Sequence, residues 1–187
     1  MNSLKSKILI LGWATILLFP VPAYVVLHFF EQISFVEFIE VEKINMLSIG
    51  LGMQFGFVFA IFILLLLQSP FFKSIPNNIE SLVKSMNLSI FDAVFLSICA
   101  GIGEELLFRI GIQYYLHWAI TSVLFVALHG YLNPWNWRFS MYGIALLPFV
   151  LVLSLAYYTF GIWFCIAAHF MYDFVVFYSI VKNNRND

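Results

Sequence analysis

Apolar residues fill the chain in long blocks, and polar residues are confined to short interruptions between and within them. A helix needs about 20 mostly apolar residues to cross a bilayer. Six blocks approach that length: 8–30, 46–68, 91–112, 114–131, 139–158 and 161–181. Pro20 and Pro22 are expected to kink or break the first, and Pro148 lies inside the fifth. The pattern predicts an all-α, polytopic transmembrane helix bundle of about six spans. The economical organisation is one integral membrane domain over 1–187, with 8–30 and 46–68 as accessory spans and 91–181 as a four-helix core.

Two longer connections interrupt the pattern. Segment 31–45 is acidic, with Glu31, Glu37, Glu40 and Glu42 against Lys43. Segment 69–90 contains Pro70, Pro76 and a stretch in which Ile79, Leu82, Val83 and Met86 recur at helical spacing. A helix lying in the membrane interface fits that stretch. Trp135, Trp137, Tyr131 and Tyr142 flank the loop around Asn133-Pro134 and read as an aromatic belt.

Composition agrees. The chain is 63% hydrophobic and 10% charged, against about 45–50% and 25% for soluble domains. A formal net charge of −1 gives no footprint for a nucleic-acid partner. Cys99 and Cys165 fall inside apolar blocks and read as small hydrophobes. Lys5 and Lys7 precede the first block like the start of a signal peptide, but the block is long enough to span and no small-x-small cleavage site follows it. With the N-terminus inside, seven of the nine Lys and Arg fall in cytoplasmic segments, which favours both termini in the cytoplasm; the membrane is expected to be a bacterial inner membrane. Glu104 would then lie roughly 20 Å along an outward-running helix, nearer the outer face.

The chemistry lies in polar groups inside the spans. Each charge at membrane depth costs at least about 2.5–3.5 kcal/mol. Glu104, Glu105 and Arg109 share one block, His129 ends the next, and His169 and Asp173 share the last. Glu105 and Arg109 stand at i, i+4 in the favourable order for a helical ion pair, which can serve packing as well as chemistry. Glu104 points about 100° away, without a partner of its own in sequence, and is the candidate general base. His129, and the His169–Asp173 pair, can each be packing devices taken alone. Three helices offering such groups predict a polar pocket within the bundle. His28 and His117 sit near predicted helix ends and read as structural. The cluster lacks HExxH, and neither Glu is followed at i+3 by His, so no metal is expected.

The order Glu-Glu-x-x-x-Arg, Phe-x-x-x-His, His-x-x-x-Asp, at Glu104–Arg109, Phe125–His129 and His169–Asp173, resembles the CPBP family of CAAX proteases and bacteriocin-processing enzymes, also called Abi. Phe108-Arg109 followed by Gly111 and Gln113 looks like the continuation of its first motif. The resemblance covers 91–181, about half the chain. It implies a metal-independent intramembrane glutamic endopeptidase with no cofactor. Glu104 would activate water, His129 would help to hold it, and His169 with Asp173 would stabilise the oxyanion. Glu105 and Arg109 would orient or charge-balance the site. The partners implied are a peptide or protein substrate at the membrane and the lipid bilayer; the oligomeric state is left open. One residue departs from the CAAX branch, which carries Asn where this chain has Asp173. An ionised Asp cannot donate to an oxyanion, so Asp173 is expected to orient His169 instead. That departure, and an outward-facing site, argue against a cytosolic prenylated substrate. A non-proteolytic immunity or scaffolding protein of the same fold is the alternative reading, and a proton-coupled transporter is a further one.

Overall fold

The computed structural model describes residues 3–73, 85–133, 135 and 137–183. Most of the predicted interfacial stretch, including Ile79, Leu82 and Val83, lies outside them. Helix α1 (Ser3–Leu18) and helix α2 (Pro20–Glu31) make up the first block. Pro20 opens α2, where a missing N–H costs nothing, so the chain breaks and restarts at the prolines. Helix α3 is Met46–Leu67, with the Asn45 side chain accepting from Leu47 N at its start. Helix α4, Ile90–Glu105, is opened by reciprocal bonds between Ser89 and Asp92. It runs on through the π-helical segment Leu106–Ile112 to Gln113–Tyr115. Helices α5 (Trp118–Leu128), α6 (Trp137–Phe160) and α7 (Ile162–Asn183) complete the bundle. No strand occurs among the described residues.

Four stretches are long and apolar enough to cross a membrane: Leu4–Glu31, Met46–Leu67, Ser140–Phe160 and Ile162–Lys182. The expected span 91–112 is not among them, because its α-helical part ends at Glu105 and a π-helical segment follows, and the expected span 114–131 differs too. Its helix has 11 residues, about 16 Å at 1.5 Å per residue, against a hydrocarbon core of about 30 Å. The His117 side chain caps its start by accepting from Ala119 N, and Gly130, at φ +76, ends it. Helix α5 therefore stops within the bundle, with His129 at its end.

Apolar side chains gain little by leaving lipid for one another, so close packing must hold these helices together. Small residues provide it. Ser48, Gly52, Gly56 and Ala60 recur every fourth position of α3 and are all buried. The carbonyl oxygens of Phe164 and Ala168 on α7 stand 2.4 and 2.1 Å from where β-carbons on Gly52 and Gly56 would be. Helices α3 and α7 therefore run parallel and in contact along the turn that carries His169. On the other side of the bundle, a β-carbon on Gly103 would meet Thr15 O of α1 at 2.4 Å.

The start of α7 is fixed separately. Glu40 is 8% exposed, and its carboxylate accepts from Ile162 N at 3.1 Å, Tyr157 Oη at 3.2 Å and Lys43 Nζ at 2.9 Å. Trp163 Nε1 donates to Glu40 O. An acid at a helix N-terminus satisfies an orphan N–H and suits the helix dipole. The acidic connection is thereby anchored at one end of the bundle, where Tyr114 and Tyr115 also donate to Glu31. Lys5 pairs with Asp92 at the opposite end. That end also carries Lys7, Lys182 and the backbone positions of Lys73 and Arg138.

Gly56→Ala should drive a methyl group into the Ala168 carbonyl. The expected cost is about 1–3 kcal/mol, read as a lower midpoint of thermal unfolding in detergent; an unchanged midpoint would mean that α3 does not seat on α7 in this way.

Candidate active site

All six singled-out residues meet in one place. Glu104 and Glu105 end the α-helical part of α4, and Arg109 lies in the π-helical turn that follows. Such widened turns often occur at functional sites. Glu105 and Arg109 are wholly buried, whereas the Glu104 side chain keeps 14% of its surface and faces a cavity. The 100° offset between adjacent helix positions thus sends one carboxylate into the core and the other to open space.

The buried carboxylate joins two helices. Arg109 Nε donates to Glu105 Oε2 at 2.7 Å, and His169 Nδ1, on α7, stands 2.8 Å from Glu105 Oε1. Arg109 Nη1 donates to Ser154 Oγ on α6 at 2.5 Å, and its guanidinium lies 5.5 Å from the Phe125 ring centroid. A buried charge needs this kind of pairing to be tolerated at all.

These partners assign the histidine tautomers. A carboxylate held by arginine accepts, so His169 Nδ1 carries a hydrogen. His129 Nδ1 lies 2.7 Å from Phe125 O, also an acceptor, and so carries one too. Each ring then turns Nε2 toward Glu104 Oε2, at 3.1 Å from His129 and 4.0 Å from His169. The His129 contact is a hydrogen bond when either partner carries the proton between them; the His169 contact is too long to be one. The His129 ring stacks on Phe125, centroids 4.4 Å apart, which gives the Phe-x-x-x-His spacing a physical meaning.

Asp173 meets the His169 ring from the side opposite Glu105. Glu105 holds His169 Nδ1, and Asp173 Oδ2 stands at the opposite nitrogen, 3.5 Å from Nε2. One helical turn beyond His169, it reaches the cavity rather than the back of the ring.

The cavity encloses about 350 Å³. Glu104, His129, His169 and Asp173 line it, with Tyr131, Tyr142 and Tyr172 alongside. Tyr131 and Tyr142 were expected in an aromatic belt; instead they pack edge to face, centroids 5.0 Å apart, beside His129. Trp135 and Trp137 are exposed, at 92% and 61%. Apolar walls extend the cavity along Ile8, Met86, Leu96, Phe177 and Ile180. These come from α1, from α4 and the residues just before it, and from the end of α7, so the cavity runs toward the lysine-bearing end. Glu104 lies about 21 Å from Ile90 and about 16 Å from Tyr115 along the helix. The carboxylate thus stands nearer the Tyr115 end of the helix, while the cavity beside it opens back along α4.

Sequence reading gave Ser154 and Ser122 no role, and noted Gln113 only as part of a motif. Ser154 Oγ lies 2.7 Å from Ser122 Oγ, and Gln113 Nε2 donates to Ser154 O at 2.8 Å. The available signal was hydroxyl and amide groups placed inside apolar spans. Cys99 and Cys165 are buried free thiols. Among the described residues no three His, Cys, Asp or Glu side chains form a metal-holding group.

Arg109→Met would leave the Glu105 charge buried without its cation, a loss of about 3–5 kcal/mol. Arg109→Lys should recover part of it. Thermal unfolding in detergent measures both, and a Met variant as stable as wild type would remove the ion pair from the account.

A family model described as Rce1-like, type II CAAX prenyl endopeptidase, matches residues 86–175. No curated protein and no solved structure matches the chain. The matched segment begins just before α4 and ends two residues beyond Asp173, so it contains every residue of the cluster and none of α1 to α3. Through residues 86–175 this integral membrane protein belongs to the CPBP family of CAAX-type membrane proteases.

Proposed function

We propose that the protein is an intramembrane glutamic endopeptidase that hydrolyses a peptide bond of a membrane-associated peptide or protein by Glu104-activated water, without a metal. The observation that carries this reading is the convergence of two imidazole Nε2 atoms on one cavity-facing carboxylate. Water held between Glu104 and His129 loses a proton to Glu104 as its oxygen attacks the scissile carbonyl. The oxygen that becomes negative lies against His169 Nε2, which donates to it when the ring is protonated. Asp173, 3.5 Å from that nitrogen, favours the protonated ring but offers the oxyanion no hydrogen while ionised. Collapse of the tetrahedral intermediate breaks the C–N bond, and Glu104 returns its proton to the leaving amine.

The lysine-bearing end is cytoplasmic by the distribution of Lys and Arg. The cavity then opens toward the cytoplasmic leaflet, and its apolar walls suit a substrate that arrives partly embedded in lipid. This removes the objection to a cytoplasmic-side substrate raised by an outer-face site. The Asp173 departure still separates the chain from the CAAX branch.

Glu104→Gln should insert and purify like wild type yet lose cleavage by at least about 100-fold. Comparison of peptide termini between cells expressing wild type and variant reads this out. Identical termini, with the variant folded, would favour an immunity or scaffolding role. EDTA should leave the wild-type termini unchanged; loss restored by zinc would make the site metal-dependent.

A cysteine introduced by Asn183→Cys should react with impermeant maleimide only after the cytoplasmic side is opened, since the native thiols are buried. Labelling of intact cells would invert the orientation and the side of access with it.

A further inference from the structure

Ser154 is wholly buried in the middle of α6, within a run of leucine and valine. Hydroxyls in such places commonly bond back to the carbonyl one turn earlier. Thr15, Ser97 and Ser122 do so, to Leu11 O, Ala93 O and Trp118 O. Ser154 is used differently: its hydroxyl bonds sideways on both flanks, to Arg109 Nη1 at 2.5 Å and to Ser122 Oγ at 2.7 Å. Its carbonyl takes a further bond from Gln113 Nε2.

The direction of each bond follows from donor chemistry. A guanidinium only donates, so Ser154 Oγ accepts from Arg109. Ser122 has two carbonyl acceptors for its one hydrogen, Trp118 O at 2.9 Å and Val150 O at 3.4 Å. The Ser154 hydrogen therefore goes to Ser122 Oγ. The result is a one-way chain from Arg109 through Ser154 to Ser122 on α5. On its other side Arg109 holds Glu105, and Glu105 holds His169 Nδ1. Arg109 Nη2 has no hydrogen-bond partner among the described residues, so Nε and Nη1 carry the whole orientation of the group.

We propose that Ser154 is a positioning residue for the site: acting through Arg109 and Glu105, its hydroxyl keeps the hydrogen of His169 on Nδ1 and so keeps Nε2 turned to the cavity between Asp173 and Glu104. The catalytic consequence rests on the glutamic-protease reading, whereas the consequence for the His169 ring does not. Without the hydroxyl, Nη1 becomes a second unpaired buried donor. The guanidinium then turns to find a partner, Glu105 follows it, and the ring loses the acceptor that fixes its tautomer. A small misplacement of this kind costs about 10- to 100-fold in turnover.

The test uses the full chain in detergent micelles and a pair of variants of nearly equal shape. Ser154→Thr keeps the hydroxyl, and Ser154→Val replaces it with a methyl group. Two quantities are read: kcat and KM for a cleaved substrate, and the ¹⁵N shifts of the His169 ring nitrogens, assigned by their loss in His169→Gln. The expected result is that Thr resembles wild type, while Val lowers kcat 10- to 100-fold at constant KM and, at a pH where the ring is neutral, moves the His169 signals toward a mixture of tautomers. Val matching wild type in both readouts would overturn the proposal. So would a fall in kcat with the His169 signals unmoved, which would mean a purely structural role. If wild type cleaves nothing, the protease reading fails, and the ring shifts alone still decide whether Ser154 sets the tautomer.

Discussion

A guanidinium with no exposure, set among apolar helices, has to find its counter-charge and its hydrogen-bond acceptors within reach. Arg109 finds them on two sides, Glu105 one turn earlier and Ser154 across on α6. That requirement places α4 against α6 and, through the second oxygen of Glu105, against α7. The remaining geometry of the site follows. With Glu105 taken up by Arg109, the His169 ring must donate from Nδ1, and Nε2 turns to the cavity, where Asp173 and Glu104 face it.

The two adjacent carboxylates illustrate how position divides one residue type into two uses. Glu105 is consumed by the framework and has no surface left for a substrate. Glu104 keeps a little surface, a histidine at hydrogen-bond distance and open space beside it. The proposed mechanism needs both: a base that can reach water, and a rigid backing that aims a second imidazole at the same point. Removal of a bond in the backing is therefore expected to act on the proposed chemistry without touching the cavity.

Packing supports this arrangement from outside the matched segment. The Gly52–Gly56 stripe of α3 lets α7 approach until its carbonyls fill the space of missing side chains, at the turn that holds His169. Glu40 fixes where α7 begins, about 10 Å before that turn. Residues 86–175 contain the chemistry, yet the helix bearing its third motif is seated by α3 and by the acidic connection. The cavity also borrows a wall from α1. This gives α1 to α3 a part in the site that the motifs alone do not reveal.

Much of this was legible in the chain because bilayer insertion penalises charge so heavily. Apolar blocks of spanning length predict helices, and ionisable residues retained inside them predict a common polar pocket. Glu104, Glu105, Arg109, His129, His169 and Asp173 do come together in one cluster. The sequence could not say which atoms would face each other. Whether Glu105 or Asp173 holds His169 depends on how α4 and α7 are rotated, and side-chain spacing along one helix carries no information about its neighbour. Tyr131 and Tyr142 read as belt residues because tyrosine suits an interface; only the return of α6 beside His129 turned them inward. The span 114–131 looked continuous because hydrophobicity does not distinguish a helix that crosses from one that stops halfway. Ser154 gave the weakest signal, since a lone serine in a helix normally bonds to its own backbone. The sequence by itself determined the helices, their apolar character and the identity of the ionisable groups that cluster, through the cost of burying charge. The partners of each group, and the direction in which the cavity opens, were decided by the tertiary structure, because they depend on contacts between helices far apart in the chain.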